Sequence, residues 1–348
     1  MKLYKVISIN LFLLILFLLI ADFSTAFIRR RNNLERVSAR QIHAFFHHGF
    51  IPNATFKHNW IPEQSLKEKV NRFGFRANIS EKSVAKIQDY KTVLIGDSFA
   101  EGVGVENKKI IASLLPKQLW PVANLGVMSH SPYLSRNRLD FYKERGLSPK
   151  KIIHLIDPSD FQDELHYWKV EGFRPPKNKF IKSLVGKIND SYISSSFTWE
   201  AFLTISWLLN SESFIRSIEL YKYWDGSENY YRDRNPFKTD NEPFYYEEAK
   251  DRLLHQIELS IKNNSQSKYI IVIYQWPPFI NSSNFSNQLA RFNNYKKELE
   301  LITSKFKNAS ICNADNANLN NSDFIEGDVH WNESGHKKIA AYISKKCL

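Results

Sequence analysis

Short runs of β-branched and aliphatic residues alternate, along most of this chain, with longer stretches whose apolar residues fall three or four apart. Thr92–Ile95, Val122–Leu125, Lys151–Ile156, Tyr269–Tyr274 and Ala309–Cys312 read as buried strands. Between them lie helical patterns. Pro132–Arg145 is closed by Gly146 and Pro149, and Ala249, Leu253, Ile257 and Ile261 share one helix face. Phe292, Tyr295, Leu299, Ile302 and Phe306 form a further stripe, and Ile339, Ala340 and Ile343 a last one. A helix after each strand returns the chain to the same end of the sheet. The alternation therefore predicts an α/β fold, a parallel sheet with helices on both faces, and it makes the stripes core rather than cofactor boxes.

The composition agrees with one large domain or two ordinary ones. Of 348 residues, 43% are hydrophobic and 24% charged, which excludes wholesale disorder and a multi-span membrane protein. The net charge of +12 suits anionic partners such as phospholipid surfaces or acidic glycans. Nucleic acid is not expected, because the lysines are scattered rather than striped and no Gly-rich phosphate loop or nucleic-acid module is present. Cys312 and Cys347, the two cysteines, exclude a disulfide-dense scaffold and a cysteine-cage metal site. They fit either a bridge formed in an oxidising compartment or two buried thiols.

Residues 1–28 have two lysines at the start, an unbroken apolar run Leu11–Ala21, and the small residues Ser24-Thr25-Ala26. That layout fits a secretory signal, and an uncleaved membrane anchor is the rival. Arg29, Arg30, Arg31, Arg36 and Arg40 follow the run, so the positive-inside rule opposes export of the remainder if the segment stays as an anchor. Export to the periplasm or cell envelope is nevertheless the reading that suits the chemistry below. Residues 165–245 interrupt the strand–helix rhythm with Tyr167, Trp168, Trp199, Trp207, Tyr221, Tyr223, Trp224, Tyr230 and Tyr231. They read as an insertion capping one end of the sheet, with Phe197–Leu209 a buried helix too short to span a bilayer. Aromatic platforms of this kind pack against the apolar face of a sugar ring.

Glycine is scarce, 12 in the whole chain, yet six glycines fall in a few short segments. Three of them lie in Gly96-Asp97-Ser98-Phe99-Ala100-Glu101-Gly102-Val103-Gly104, directly after the first strand. Gly126 follows the second strand, and Gly327 and Gly335 flank Asp328-Val329-His330 before the terminal helix. Ligands meet a parallel sheet at the carboxyl ends of its strands, so Ser98 stands on a rigid support where it can be aimed. A serine hydroxyl needs a base to become a nucleophile. Asp328 and His330 are close enough for the carboxylate to hold Nδ1 while Nε2 takes the serine proton.

These residues resemble the SGNH (GDSL) hydrolase superfamily, whose first block is Gly-Asp-Ser and whose last is an Asp and a His near the C terminus. The resemblance covers about residues 71–160 and 265–345, including the lead-in Asn71-Arg72-Phe73-Gly74-Phe75-Arg76. It implies a flavodoxin-like three-layer α/β/α domain over 71–348 carrying the 165–245 insertion, after a lead-in segment 29–70. It also implies Ser98 as nucleophile, His330 as base, Asp328 as orienting acid, and an oxyanion hole from the Ser98 and Gly126 N–H groups. The third block departs from the family pattern: Asp157-Pro158-Ser159-Asp160 puts Ser159 where an asparagine amide would donate to the oxyanion.

Other residues suggest lesser roles. His130 lines the pocket or is a loop residue, and Trp276 floors a sugar subsite or packs a strand end. His336 is expected on the surface of the terminal helix or capping it. His43, His47, His48 and His58 match no zinc spacing, so neither a metal nor a cofactor is expected. The leading expectation is an exported serine esterase removing ester-linked acyl groups, such as O-acetyl groups of an envelope polysaccharide. A polysaccharide O-acetyltransferase supplied by a membrane acyl-donor protein would use the same residues, and a low-turnover glycan-binding module is the rival of another class. The partners implied are an acylated carbohydrate or other ester, and the membrane if the N-terminal segment is uncleaved.

Overall fold

A computed structural model of the chain describes residues 2–31, 40–61, 64–81, 84–189, 191, 196–208, 243–274, 286–326 and 328–348. The apolar N-terminal run forms helix α1 (Lys2–Arg31). Its segment Ile7–Ile28, 22 residues with a mean hydropathy of 2.6, is long enough to cross a bilayer. A signal sequence and an anchor share that property. Two antiparallel hairpins follow: β1 (Arg40–His43) with β2 (His47–Phe50), and β3 (Thr55–Ile61) with β4 (Gln64–Lys69).

The main sheet contains β5 (Thr92–Ile95), β6 (Val122–Asn124), β7 (Lys151–Ile156), β8 (Lys268–Ile273) and β9 (Ala309–Asn313). All pair in parallel, in the spatial order β6-β5-β7-β8-β9. This is the flavodoxin-like order, with its topological switch between the first and third strands. The α/β expectation therefore holds, and every expected strand is found to within a residue at its ends.

Strand side chains alternate between the two faces, and both faces are dry. Val93, Ile95, Ile152, Ile156, Ile271 and Ile273 face one layer of helices. That layer contains α4 (Pro132–Lys143), α8 (Pro243–Asn263) and α9 (Ser286–Ser304), which contribute Leu139, Leu253, Ile257, Tyr295 and Leu299. Leu94, Ile153, Leu155, Ile270 and Val272 face the other, built on α2 (Ser98–Glu101), α3 (Ile111–Leu114) and α10 (Glu333–Tyr342). Each fully buried Ile or Leu contributes about 1.5–3 kcal/mol of transfer free energy. Burial on both faces is why these strands read as continuous apolar runs without a polar alternation.

Helix α5 (Asp160–Leu165) leads into the insertion, whose described part contains α6 (Lys179–Asn189) and α7 (Phe197–Leu208). One expectation is corrected here. Helix α7 is half-buried rather than buried: Trp199, Leu203 and Trp207 face the core, while Phe197 is 74% exposed, and Phe202 and Ile205 also point outward. A helix apolar all round gives no periodicity from which to read its inner side. Tyr221, Tyr223, Trp224, Tyr230 and Tyr231 lie outside the described residues. At the other end of the chain, Cys312 on β9 is bridged to Cys347, so of the two alternatives for the cysteines the disulfide is the one present.

Candidate active site

The first, third and last blocks of the sequence meet at the switch point. Gly96 leaves β5 with φ +141°, a conformation L side chains rarely adopt, and a Cβ there would lie 2.9 Å from the Leu155 carbonyl oxygen on β7. Asp97 caps α2, its Oδ1 accepting from the Phe99 N–H at 3.0 Å. Ser98 is thereby the first residue of the helix, pointing its hydroxyl across the strand ends. Its own N–H, at that position, has no intrahelical acceptor.

His330 arrives from the opposite end of the chain, 232 residues away, on the loop before α10. That loop is held from several sides. The Ile325 N–H donates to the His330 carbonyl at 2.9 Å, and Asn332 caps α10 by accepting from Ser334 and Gly335. The Asn332 amide also donates to the Ser322 and Phe324 carbonyls. Trp331, fully buried, wedges against Phe99 and Tyr274.

The result is an unbroken hydrogen-bonded line. Ser98 Oγ lies 2.7 Å from His330 Nε2, and His330 Nδ1 lies 2.5 Å from Asp328 Oδ1. The same Asp328 oxygen accepts the His330 backbone N–H at 2.9 Å. An ionised carboxylate can only accept, so Nδ1 carries the proton and Nε2 accepts from the serine. The Phe99 ring stacks on the imidazole at 5.0 Å, fixing its plane. Such a set can deprotonate a hydroxyl and return the proton to a leaving group.

The other expected residues fare differently. The Gly126 N–H donates to its own neighbour's side chain, Asn124 Oδ1, at 3.0 Å. Ser159 donates both its hydroxyl (2.6 Å) and its N–H (2.7 Å) to Asp157 Oδ1. Both sets of donors are thus hydrogen-bonded to side chains two residues away. His130 is fully buried and hydrogen-bonded to the His48 carbonyl at 2.8 Å. His336 is not on the helix surface but 1% exposed against Trp331, and burial pushes its imidazole down to about 3. In the first turn of α10, Gly335 and His336 are buried while Glu333 and Ser334 are exposed. Trp276 lies outside the described residues.

Two features were not legible as site elements. Asp97, Asp157 and Asp160 are all buried at the ends of β5 and β7. Burial, then the Asp157 charge, pushes the Asp97 and Asp160 carboxyls well up, since like charges in a dry site cannot all ionise. Asp97 Oδ2 also lies 3.3 Å from the Ser98 hydroxyl. The second feature is a charge network around the turn that follows β5. Arg76, fully buried in the lead-in, donates to the Gly102 carbonyl at 2.5 Å and to the Val105 carbonyl, and pairs with Glu68 at 3.2 Å. Glu101, one turn beyond Ser98, accepts from Arg40 and from the Met128 N–H at 2.7 Å. Burial pushes Glu101 up, but Arg40 and Arg76 outweigh it and hold the carboxylate below its usual range. The motif containing Arg76 stood in the sequence, but most of its partners are backbone carbonyls, which no side-chain pattern reveals.

Fold and site together define a flavodoxin-like α/β protein with a serine, a histidine and an aspartate joined at its switch point. No family model and no curated protein matches the chain. Among solved structures it is similar to one from Streptococcus pneumonia whose description names a platelet activating factor. The two share 11% identity and a TM-score of 0.38 over 76% of this chain and 86% of that one, too distant a likeness to carry an argument.

Proposed function

We propose that the protein is a serine esterase that cleaves ester-linked acyl groups. The observation that carries this reading is the Ser98–His330–Asp328 line at the carboxyl end of β5. Ser98 Oγ attacks the ester carbonyl carbon as its proton passes to His330 Nε2. The tetrahedral intermediate collapses, and His330 returns that proton to the departing alcohol, leaving an acyl-serine. Water then gives a proton to His330 and attacks the acyl carbon; the acid leaves and Ser98 recovers its hydrogen. Asp328 holds the imidazole in the tautomer that both steps need. The Ser98 N–H is one donor for the oxyanion. Gly126 can become a second by giving up its bond to Asn124.

The resemblance to SGNH hydrolases supports O-acetyl groups of an envelope polysaccharide as the substrate, and the Cys312–Cys347 bridge supports an exported domain. A fluorophosphonate probe tests the chemistry. It is expected to label the full chain at Ser98, and the label is expected to vanish in Ser98→Ala and His330→Ala. An unlabelled wild-type protein of native fold would sink the reading. Given an acylated glycan, the protein is expected to release free acid; acylated acceptor sugar with no free acid would mark a transferase instead.

A further inference from the structure

Helices α6 and α7 present an apolar surface that the described residues leave uncovered. On α7 the inner stripe Trp199, Leu203 and Trp207 already packs on the core, yet the outer face is apolar too: Phe197 is 74% exposed, Phe202 58% and Ile205 59%. Glu200 is its one charged residue. A helix apolar on both sides is at home in a protein interior or in lipid. Helix α6 is different in kind. It exposes Phe180 (77%), Ile181 and Leu184, with the exposed lysines Lys177, Lys179 and Lys187 around them. Bulky apolar residues flanked by lysine are what an interfacial helix on an anionic lipid surface needs.

The occupant is indicated by the neighbour these helices share. Asp22, inside the apolar length of α1, accepts from the Phe197 N–H through Oδ1 at 3.0 Å and from the Thr198 N–H through Oδ2 at 2.9 Å. The carboxylate thus caps α7, satisfying amides that no residue of α7 itself can reach. Ala26, one turn further along α1, is buried as well. A bilayer-spanning helix and the exposed face of the insertion are therefore continuous. Cleavage after Ala26 would remove Asp22 and leave both amides uncapped.

We infer that α1 is retained and that the outer faces of α6 and α7 rest in the headgroup–acyl boundary of a phospholipid bilayer, a docking platform that holds the catalytic domain flat against the membrane. The platform stands independently of the chemistry assigned to Ser98. It is tested with the full chain in vesicles of phosphatidylethanolamine and phosphatidylglycerol containing a phospholipid with a photoactivatable carbene in its acyl chain. Peptide mapping is expected to find adducts in Ile7–Ile28 and also at Phe180–Leu184 and Phe202–Ile205, on a chain that still carries Asp22. In Phe180→Glu with Phe202→Glu, adducts on α6 and α7 are expected to be lost while those on α1 and the thermal midpoint persist. Absence of adducts from α6 and α7 in the wild-type protein, or a membrane-bound chain beginning after Ala26, overturns the inference.

Discussion

Gly126→Ala probes how closely the loop after β6 approaches the turn that carries Ser98, the proposed nucleophile. The backbone of Gly126 is outside the left-handed region, so alanine is not strained there and the cost is one of space. Its Cβ would lie 2.3 Å from the Glu101 nitrogen and 2.4 Å from the Ala100 carbonyl carbon, both backbone atoms that cannot swing aside. Restoring ordinary van der Waals contact requires the two segments to part by about 1 Å. Three hydrogen bonds resist this: Val127 N–H to the Gly96 carbonyl, Met128 N–H to Glu101, and the Asn124 amide to the Glu101 carbonyl. Overpacking of this kind costs about 1–3 kcal/mol, which lowers the melting temperature by about 2–5 °C in a domain of this size. A shift of about 1 Å at a catalytic turn reduces rate by roughly 10²-fold. The assays are thermal unfolding and the rate of fluorophosphonate labelling at Ser98. A variant that melts and labels like the wild type would mean the two loops do not touch as described, and the geometry of the site would have to be redrawn.

Further expectations address the base, the acid response and the bridge. Asp328→Asn keeps the hydrogen-bonding shape but lets the imidazole take the wrong tautomer, so ester hydrolysis is expected to fall about 10⁴-fold with little change in melting temperature; a fall below tenfold refutes the role given to Asp328. Burial pushes His154 down to about 3, while in the unfolded chain it titrates near the ordinary value. Its stabilising contribution is therefore complete above about pH 6.5 and lost as the pH falls toward 3, roughly 2 kcal/mol by pH 5. Urea unfolding of the wild type and His154→Gln at pH 7 and pH 5 is expected to show the gap between them narrowing by about that amount, and parallel curves would contradict it. The bridge closes a loop of 35-residue separation. Cys312→Ser with Cys347→Ser is expected to lose about 3–4 kcal/mol of stability, and mass spectrometry of the alkylated wild type should find no free thiol.

Which parts of this were legible in the sequence follows from the range of the interactions involved. The strands Thr92–Ile95 and Lys268–Ile273, the helix beginning at Pro132, and the turn placing Ser98 after a strand are each set within a few residues, by side-chain period and by where glycine and proline fall. Asp328 and His330, two residues apart, carry their own pairing. Tertiary structure decided everything that depends on a distant partner. The strand order sets β7 beside β5 and so brings Asp157 and Asp160 up to Asp97. Gly126 and Ser159 have their donors taken by Asn124 and Asp157, His336 is buried edge-on against Trp331, and Arg76 finds carbonyls of another segment. The inner side of α7 depends on which surface meets the core, because its sequence is apolar on both. Local patterns encode what a segment is; only packing, by allotting each hydrogen bond and each face to one partner and denying it to the rest, determines what that segment has left to offer.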